Sequence, residues 1–315
     1  MQQNIDYYDH PVFHPYDLII RTPAIQLLED QLTQLLWNGI TGAVIQGQAR
    51  HGKTTALDYI RDNLKNRRGE IIPSHFLTVP TLDRKTVNAL YRTLLVSVDL
   101  PVTNTMRVEP MLNNLLCYIL DSLAEKKSRQ FIIFADEAQR LSPEQCGVFC
   151  QIYDILREKY KIQLHVFLVV NSDEAESLLH VIRKKQYRHI HGRFFINIYN
   201  FYGLRNKADV KACLAQYDSL RFPKEDGPVY TEFFLPQAFN DNWRLSDAAS
   251  LLWGTFTRYQ KAYQIDSWGM QYFISMVNVL LTDFLPHYGV DHLSEEMVER
   301  ALDATGFVPE NIKAV

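Results

Sequence analysis

A hydroxyl, an ammonium and two carboxylates in this 315-residue chain have the types and spacing of a phosphate-handling site. The stretch GQARHGKTT, Gly47 to Thr55, fits the pattern G-x-x-x-x-G-K-[ST], with Gly47, Gly52, Lys53 and Thr54 at its fixed positions. Glycine tolerates backbone angles that other residues resist, so successive N–H groups can curl round phosphate oxygens. Lys53 would reach the β- and γ-phosphates of a nucleotide, and the Thr54 hydroxyl would bind Mg²⁺. Gln48, His51 and Thr55 complete the candidate ATP-binding loop. Further on, Asp136 and Glu137 close the apolar run FIIFA. Asp136 is expected in the Mg²⁺ shell, and Glu137 is placed to orient and deprotonate an attacking water. A kinase of small molecules has less need of that second carboxylate, so the pair favours hydrolysis.

These groups meet only if particular elements carry them. Ala43-Val44-Ile45 reads as a strand before the loop, and Leu57, Ile60 and Leu64 recur at helical spacing after it. Asn66-Arg67-Arg68-Gly69 is expected to stop that helix. A helix N-terminus adds free N–H groups and a favourable dipole for phosphate. IIPSHFLTV (71–79), FIIF and VFLVV read as further strands, separated by helical stretches at 86–98 and 109–127. Strands alternating with helices imply a parallel sheet. FIIF and VFLVV lack polar alternation, as strands covered on both faces should. In such sheets ligands sit at the carboxyl ends of the strands, which brings Asp136 beside the loop.

Other polar groups fall at useful places. Asn171 ends VFLVVN and could bridge water and γ-phosphate, or simply form an Asx turn. Arg193, in RKKQYRHIHGRFF, is a candidate to serve a neighbouring subunit's nucleotide in trans, with Arg188 the competing choice and a plain basic surface the other reading. Arg244 opens the stretch WRLSDAASLL and could fold back on the phosphates. Thr22-Pro23 reads as a helix cap and first helical residue.

A formal net charge of −3 excludes nucleic-acid binding driven by global charge, so any DNA contact must be a local patch. The N-terminus MQQNIDYYDHPVF has neither the basic segment nor the apolar core of a signal peptide. Met270 to Leu285 is apolar but short and interrupted by Gln271, Asn278 and Asp283; it reads as a buried helix ended by Pro286 and not as a membrane span. Cys117, Cys146, Cys150 and Cys213 make no zinc pattern and read as reduced thiols of a cytoplasmic protein. The strand signal fades after Phe201. The expected layout is a nucleotide-binding α/β domain over 1–200, with an adenine-side segment at 1–35, then a helical lid at 201–265 and a C-terminal helical segment at 266–315.

The phosphate loop, the Asp-Glu strand end, the polar strand end at Asn171, Arg193 and Arg244 together resemble an AAA+ ATPase over roughly residues 15 to 260. The resemblance implies a P-loop α/β domain with a parallel sheet flanked by helices, followed by a helical lid and C-terminal helices. Within AAA+, FADEAQRLS, WRLSDAASLL and HPYDLIIRTPAIQLLEDQL are most similar to DNA-transposition regulators: TnsC and its relatives TniB, IstB and MuB, including TnsC proteins of CRISPR-associated transposons. The resemblance implies ATP-bound subunits that stack as a ring or filament round duplex DNA. It also implies a link between a target-selection factor and the transposase, and disassembly on hydrolysis. In TnsC-like proteins the residues after the second strand face the DNA; here they are Arg84, Lys85 and Thr86. The two cations would bind phosphate without reading sequence.

Two other classes compete. DEAQ (136–139) is similar to helicase boxes, but 315 residues do not easily hold two such cores. An ATPase switch acting on protein partners without DNA fits the weak net charge.

Overall fold

The computed structural model describes residues 6–14, 18–81 and 84–307. Five strands, β1 (Gly42–Gly47), β2 (Ser74–Thr78), β3 (Gln130–Asp136), β4 (Gln163–Asn171) and β5 (Ile198–Asn200), form one parallel sheet in the order β2-β3-β4-β1-β5. Its central strands are apolar on both faces because helices cover both; Phe134 and Phe167 stack across β3 and β4 with ring centroids 5.5 Å apart. Register aligns the strand ends. Gly47 is opposite Asn171, and Thr78 is opposite Asp136.

The helices of this part are α1 (Pro23–Trp37), α2 (Lys53–Ile60), α3 (Val87–Ser97), α4 (Val108–Lys126), α5 (Pro143–Ile155), α6 (Ser172–Ile182) and the single turn α7 (Arg188–Ile190). Several of these helices start on a side-chain cap, the one at Thr22 as the sequence suggests. Thr22 Oγ1 accepts the Ile25 N–H at 3.1 Å, Thr86 Oγ1 accepts that of Ala89 at 3.1 Å, and Ser142 with Gln145 makes a reciprocal box ahead of α5. Such a cap stabilises a helix by about 1 kcal/mol. One sequence expectation is corrected here. The helix after the phosphate loop ends at Ile60, not at Asn66: a 3₁₀ turn covers Arg61–Asn63, and Leu64 is extended. Asn66–Glu70 is instead a tight reversal between Lys65 and Ile71, with Gly69 at φ +79°.

Two compact units divide the chain. One holds residues 27–49 and 53–201, with the sheet and a core around Tyr91, Phe131, Phe149 and Phe194. The other gathers the described parts of 1–26, Arg50–Gly52 and residues 202–307. Its helices are α8 (Lys207–Tyr217), α9 (Tyr230–Phe234), α10 (Pro236–Asn240), α11 (Ala249–Tyr263), α12 (Met270–Val279), α13 (Leu285–Tyr288) and α14 (Glu295–Ala304). Residues from 204 to 302 share one apolar core, in which Trp268 stacks on Phe256 at 4.5 Å, so the stretches read as lid and C-terminal segment pack together. The Asp218 carboxylate ties three pieces of this unit by accepting from Thr231 Oγ1 and from the Leu245 and Ser246 N–H groups.

Pro286 does not end the buried helix, contrary to the sequence expectation. A widened π-type turn at Leu280–Phe284 precedes α13, and the chain stays helical to Tyr288. Proline lacks an N–H and crowds the carbonyl four residues back; the widened turn absorbs both effects. Cys146, Cys150 and Cys213 are buried free thiols, whereas Cys117 is exposed. No helix among the described residues is long and apolar enough to cross a membrane.

Three buried histidines are held neutral. His165 Nδ1 donates to the Ile40 carbonyl at 2.7 Å, His75 Nε2 donates to Ser97 Oγ at 2.8 Å, and His10 Nδ1 accepts the Val12 N–H at 3.2 Å. Burial pushes each down to about 4 from an ordinary 6.5. Below about pH 6.5 the unfolded chain takes up protons that the folded chain refuses, so these sites lose stability as pH falls from 6.5 towards 4. The urea midpoint is therefore expected to be lower at pH 5 than at pH 7. His165→Asn, which keeps a donor for Ile40, should flatten that dependence; an unchanged pH slope would count against the assignment.

Candidate active site

The phosphate loop begins where β1 ends, and its first residue has no room for a side chain. A Cβ on Gly47 would lie 2.3 Å from the Phe201 carbonyl oxygen. Two later residues take left-handed angles, Arg50 at φ +61° and Gly52 at φ +92°, which turn the loop into α2. Gly52 adopts this conformation without the penalty that a Cβ brings. His51 is buried and Gln48 half-buried, while Thr54 and Thr55 are exposed on the first turn of α2. Arg50 packs within the helical unit: its carbonyl accepts the Gln271 N–H at 3.2 Å, and its guanidinium meets the Tyr272 hydroxyl.

Lys53 folds back across the loop. Its Nζ donates to the carbonyls of Gly47 and Gln48, each at 2.7 Å. Burial lowers the affinity of this amine for its proton, while the charges of Asp136, Glu137 and Asp173 act to raise it. A partly desolvated cation beside free N–H groups is suited to an incoming polyanion. Thr54 Oγ1 donates to Asp136 Oδ2 at 2.7 Å, and Asp136 Oδ1 accepts the Glu137 N–H at 2.9 Å. Asp136 is only 5% exposed, so these two bonds account for a carboxylate that would otherwise be costly to bury.

Glu137 sits in the left-handed region at φ +57°. That conformation costs a non-glycine residue about 1–2 kcal/mol. It lifts the carboxylate off the strand end, where Arg140 Nη2 pairs with it at 2.9 Å and Gln139 Nε2 donates to it at 2.9 Å. Arg140 is itself anchored, donating through Nη1 to the Val79 carbonyl at 3.0 Å.

Gln139 is a functional candidate that the sequence reading passed over. It is 8% exposed, and its amide joins three groups: Nε2 donates to Glu137 and to Glu174 Oε2, while Oε1 accepts the Asn171 N–H at 3.2 Å. The available signal was the position of Gln139 and Arg140 immediately after the Asp-Glu pair. The 3₁₀ turn at Ala138–Arg140 then brings both side chains back to Glu137.

The remaining predicted residues divide. Asn171 lies beside Gly47 in register, but its side chain caps α6: Oδ1 accepts the Asp173 N–H and Nδ2 donates to Glu174 Oε1 at 3.2 Å. Arg193 is held by its own chain, paired with Asp154 at 2.7 Å and lying 5.3 Å over the Tyr153 ring. Arg188 is exposed and makes no side-chain hydrogen bond or ion pair among the described residues. Arg244 stacks 3.6 Å over Phe239 and donates to the Phe239 and Trp243 carbonyls. Arg84 and Lys85 are exposed on the loop after β2, and the Thr86 hydroxyl is used as the cap of α3.

Comparison with known proteins agrees with this geometry. The family described as "AAA domain" matches residues 41–179, which form an AAA-type P-loop domain. No curated protein matches the chain. Among solved structures, the ADP form of ORC2 from Aeropyrum pernix is 15% identical, with 91% of this chain and 69% of that one covered and a TM-score of 0.54. Cdc6p from Pyrobaculum aerophilum is 13% identical, with 93% and 83% covered and a TM-score of 0.45. Drosophila ORC bound to DNA is 10% identical, with 98% and 70% covered and a TM-score of 0.49. The first of the three carries the fold comparison: this chain has an AAA+ fold of the ORC kind, a parallel five-stranded sheet flanked by helices with helices C-terminal to it.

If the Gln139 amide positions Glu137, Gln139→Leu should lower kcat for ATP hydrolysis by about tenfold or more. Nucleotide affinity should stay close to the parent's, and Gln139→Glu should not rescue the rate. A variant with reduced affinity and unchanged kcat would assign Gln139 a binding role instead.

Proposed function

We propose that the chain is an ATP-hydrolysing regulator of DNA transposition of the TnsC-like kind. Subunits bind ATP, assemble as a ring or filament on duplex DNA without sequence preference, and link a target-selection protein to a transposase. Hydrolysis takes the assembly apart. The observation that carries the reading is the Thr54–Asp136–Glu137 arrangement, which places a hydroxyl, a buried carboxylate and a raised second carboxylate next to the Lys53 loop. The AAA domain match and the ADP held by Aeropyrum pernix ORC2 support a nucleotide at this loop.

Mg²⁺ fits the oxygen donors of Thr54 and Asp136, since it favours one or two carboxylates together with phosphate oxygens. When bound it supplies positive charge to the phosphate oxygens. The chain's own residues do the rest. Lys53 exchanges its two loop carbonyls for phosphate oxygens, and the loop N–H groups orient the nucleotide. Glu137 takes the proton of the attacking water once its carboxylate is shared less tightly with Arg140. In this reading Asn171 senses the γ-phosphate, Arg244 acts from a lid at 201–265 after leaving its Phe239 stack, and Arg193 serves a neighbouring subunit after leaving Asp154. DNA binding is supported by the resemblance to TnsC-like proteins and by the exposure of Arg84 and Lys85 after β2.

Lys53→Ala should abolish ATP binding, whereas Glu137→Gln should keep ATP bound and stop turnover; equilibrium binding and phosphate release separate the two effects. Turnover by the Glu137 variant at the parent rate would remove it as the base. For Arg193, the Ala variant should lose ATPase activity while keeping ATP affinity, and mixing it with Lys53→Ala subunits should partly restore turnover. No recovery in proven co-assemblies would place the trans arginine elsewhere, with Arg188 next in line.

Assembly multiplies weak phosphate contacts, so tight duplex binding should need ATP and fall steeply with salt. Arg84→Ala with Lys85→Ala should weaken binding and flatten the salt slope while sparing nucleotide affinity. Fluorescence anisotropy of a labelled duplex with an ATP analogue, ADP or no nucleotide tests this. Equal affinity in all three states would favour an ATPase switch that acts on protein partners without DNA.

A further inference from the structure

A second charged feature lies at the opposite end of the same sheet. Gly39, just before β1, and Gln130 and Gln163, the first residues of β3 and β4, border a cleft of about 510 Å³. Because the strands are parallel, these are the amino ends, away from the phosphate loop and the Asp136–Glu137 pair. The Asn66–Glu70 reversal brings Arg67 and Arg68 to the cleft, and the turn from α4 to β3 brings Lys127 and Arg129. Four cations therefore face one lining acid, Glu70, in a chain whose net charge is negative.

The hydrogen-bonding capacity of the cleft is one-sided. Glu70 already accepts the Asn66 amide at 2.7 Å, and the Asn66 amide oxygen accepts the Arg68 and Glu70 N–H groups. The Gln163 amide oxygen accepts from Gln130 at 3.1 Å, which leaves its NH₂. Arg68, Lys127 and Arg129 are exposed, with no side-chain hydrogen bond or ion pair among the described residues. Unused donors predominate: among the described residues three exposed cations and the Gln163 amide stand against one open carboxylate oxygen of Glu70 and the Gln130 amide oxygen. A peptide brings backbone N–H groups that need acceptors, whereas a phosphodiester chain presents acceptors at every step.

The wall adds an aromatic plane. Trp37 is 44% exposed, its Nε1–H is fixed on the Lys65 carbonyl at 2.9 Å, and the Arg67 guanidinium lies 5.6 Å over its ring. Arg67 is held there by donating Nε–H to the Trp37 carbonyl at 3.0 Å. A pinned indole and a pinned guanidinium are both surfaces on which unpaired bases stack. A duplex keeps its bases inside, so the aromatic wall has no use for it.

We propose that this cleft binds a single-stranded nucleic acid, its phosphates held by Arg68, Lys127 and Arg129 and one base stacked at Trp37–Arg67. The site is independent of the nucleotide loop and of the duplex contacts proposed at Arg84 and Lys85. It gives the chain a place for an unpaired strand on the face opposite to ATP.

The test is anisotropy of a labelled single-stranded oligothymidylate with the full chain over a salt series, with and without ATP analogue. Binding without nucleotide, weakened by salt, is expected. Arg68→Glu with Arg129→Glu should weaken it by about tenfold or more and flatten the salt slope. Among the described residues neither side chain has a hydrogen-bond or ion-pair partner to lose, and an unchanged thermal melt, or the milder Arg68→Ala with Arg129→Ala, guards against a folding effect. Trp37→Ala should weaken binding by roughly tenfold while Trp37→Phe keeps most of it. Arg84→Ala with Lys85→Ala should leave it unchanged, which separates this site from the duplex reading. Parent-level affinity in the charge-reversed variant would overturn the proposal. So would displacement of the probe by polyglutamate as readily as by unlabelled oligonucleotide, which would indicate an acidic protein partner. Equal competition by duplex would also overturn it, since the aromatic wall would then play no part.

Discussion

Asp136 accepts the Thr54 hydroxyl at 2.7 Å, and this hydrogen bond joins elements that are not neighbours in the sheet. Thr54 lies on the first turn of the helix after β1, Asp136 ends β3, and β4 lies between those strands. The bond therefore forms only if three parallel strands hold their register to within a residue. A one-residue slip in a parallel strand would turn Asp136 to the other face and leave Glu137 in its place. Strand ladders, apolar runs and covering helices all serve this alignment, because a buried carboxylate without its donors would cost several kcal/mol.

The same constraint explains why strain collects at Glu137. With Asp136 turned towards Thr54, the next residue must leave the strand, and it does so through a left-handed angle that glutamate does not favour. Charge-assisted bonds from Arg140 and Gln139 offset that cost and hold the carboxylate in one place. Arg140 also reaches Val79, and Gln139 also reaches Glu174 and Asn171. The carboxylate is thereby tied to the ends of β2 and β4. A shift in either strand end would be felt first at Glu137, which is how a small displacement can change a reaction rate without touching the nucleotide.

The two ends of the sheet have opposite chemistry, and the parallel topology accounts for that too. The carboxyl ends gather acids and the loop N–H groups around one half-buried lysine. The amino ends gather turns, and turns carry the exposed Arg67, Arg68, Lys127 and Arg129. Neither collection is visible in the net charge of −3.

The local chemistry was written plainly in the sequence. A glycine pattern before a helix, and two acids after an apolar strand, are signals set by neighbours along the chain, so Gly47, Lys53, Thr54, Asp136 and Glu137 could be named before any fold was known. So could β3 and β4, whose apolar runs leave no other place for themselves. Tertiary structure decided what depends on distant partners. The helix after the loop stops at Ile60 because Leu64 is needed in an extended segment that bonds Ile72, and the helix through Pro286 continues because a widened turn accommodates the ring. Arg193 and Arg244 were legible as cations, but not their partners: a guanidinium can reach any acid or ring that the fold brings near, and Asp154 and Phe239 were the ones within reach. Gln139 shows the limit most clearly. Its place just after the Asp-Glu pair is visible in the sequence, but its bonds to Asn171 and Glu174 exist only because β3 and β4 end side by side.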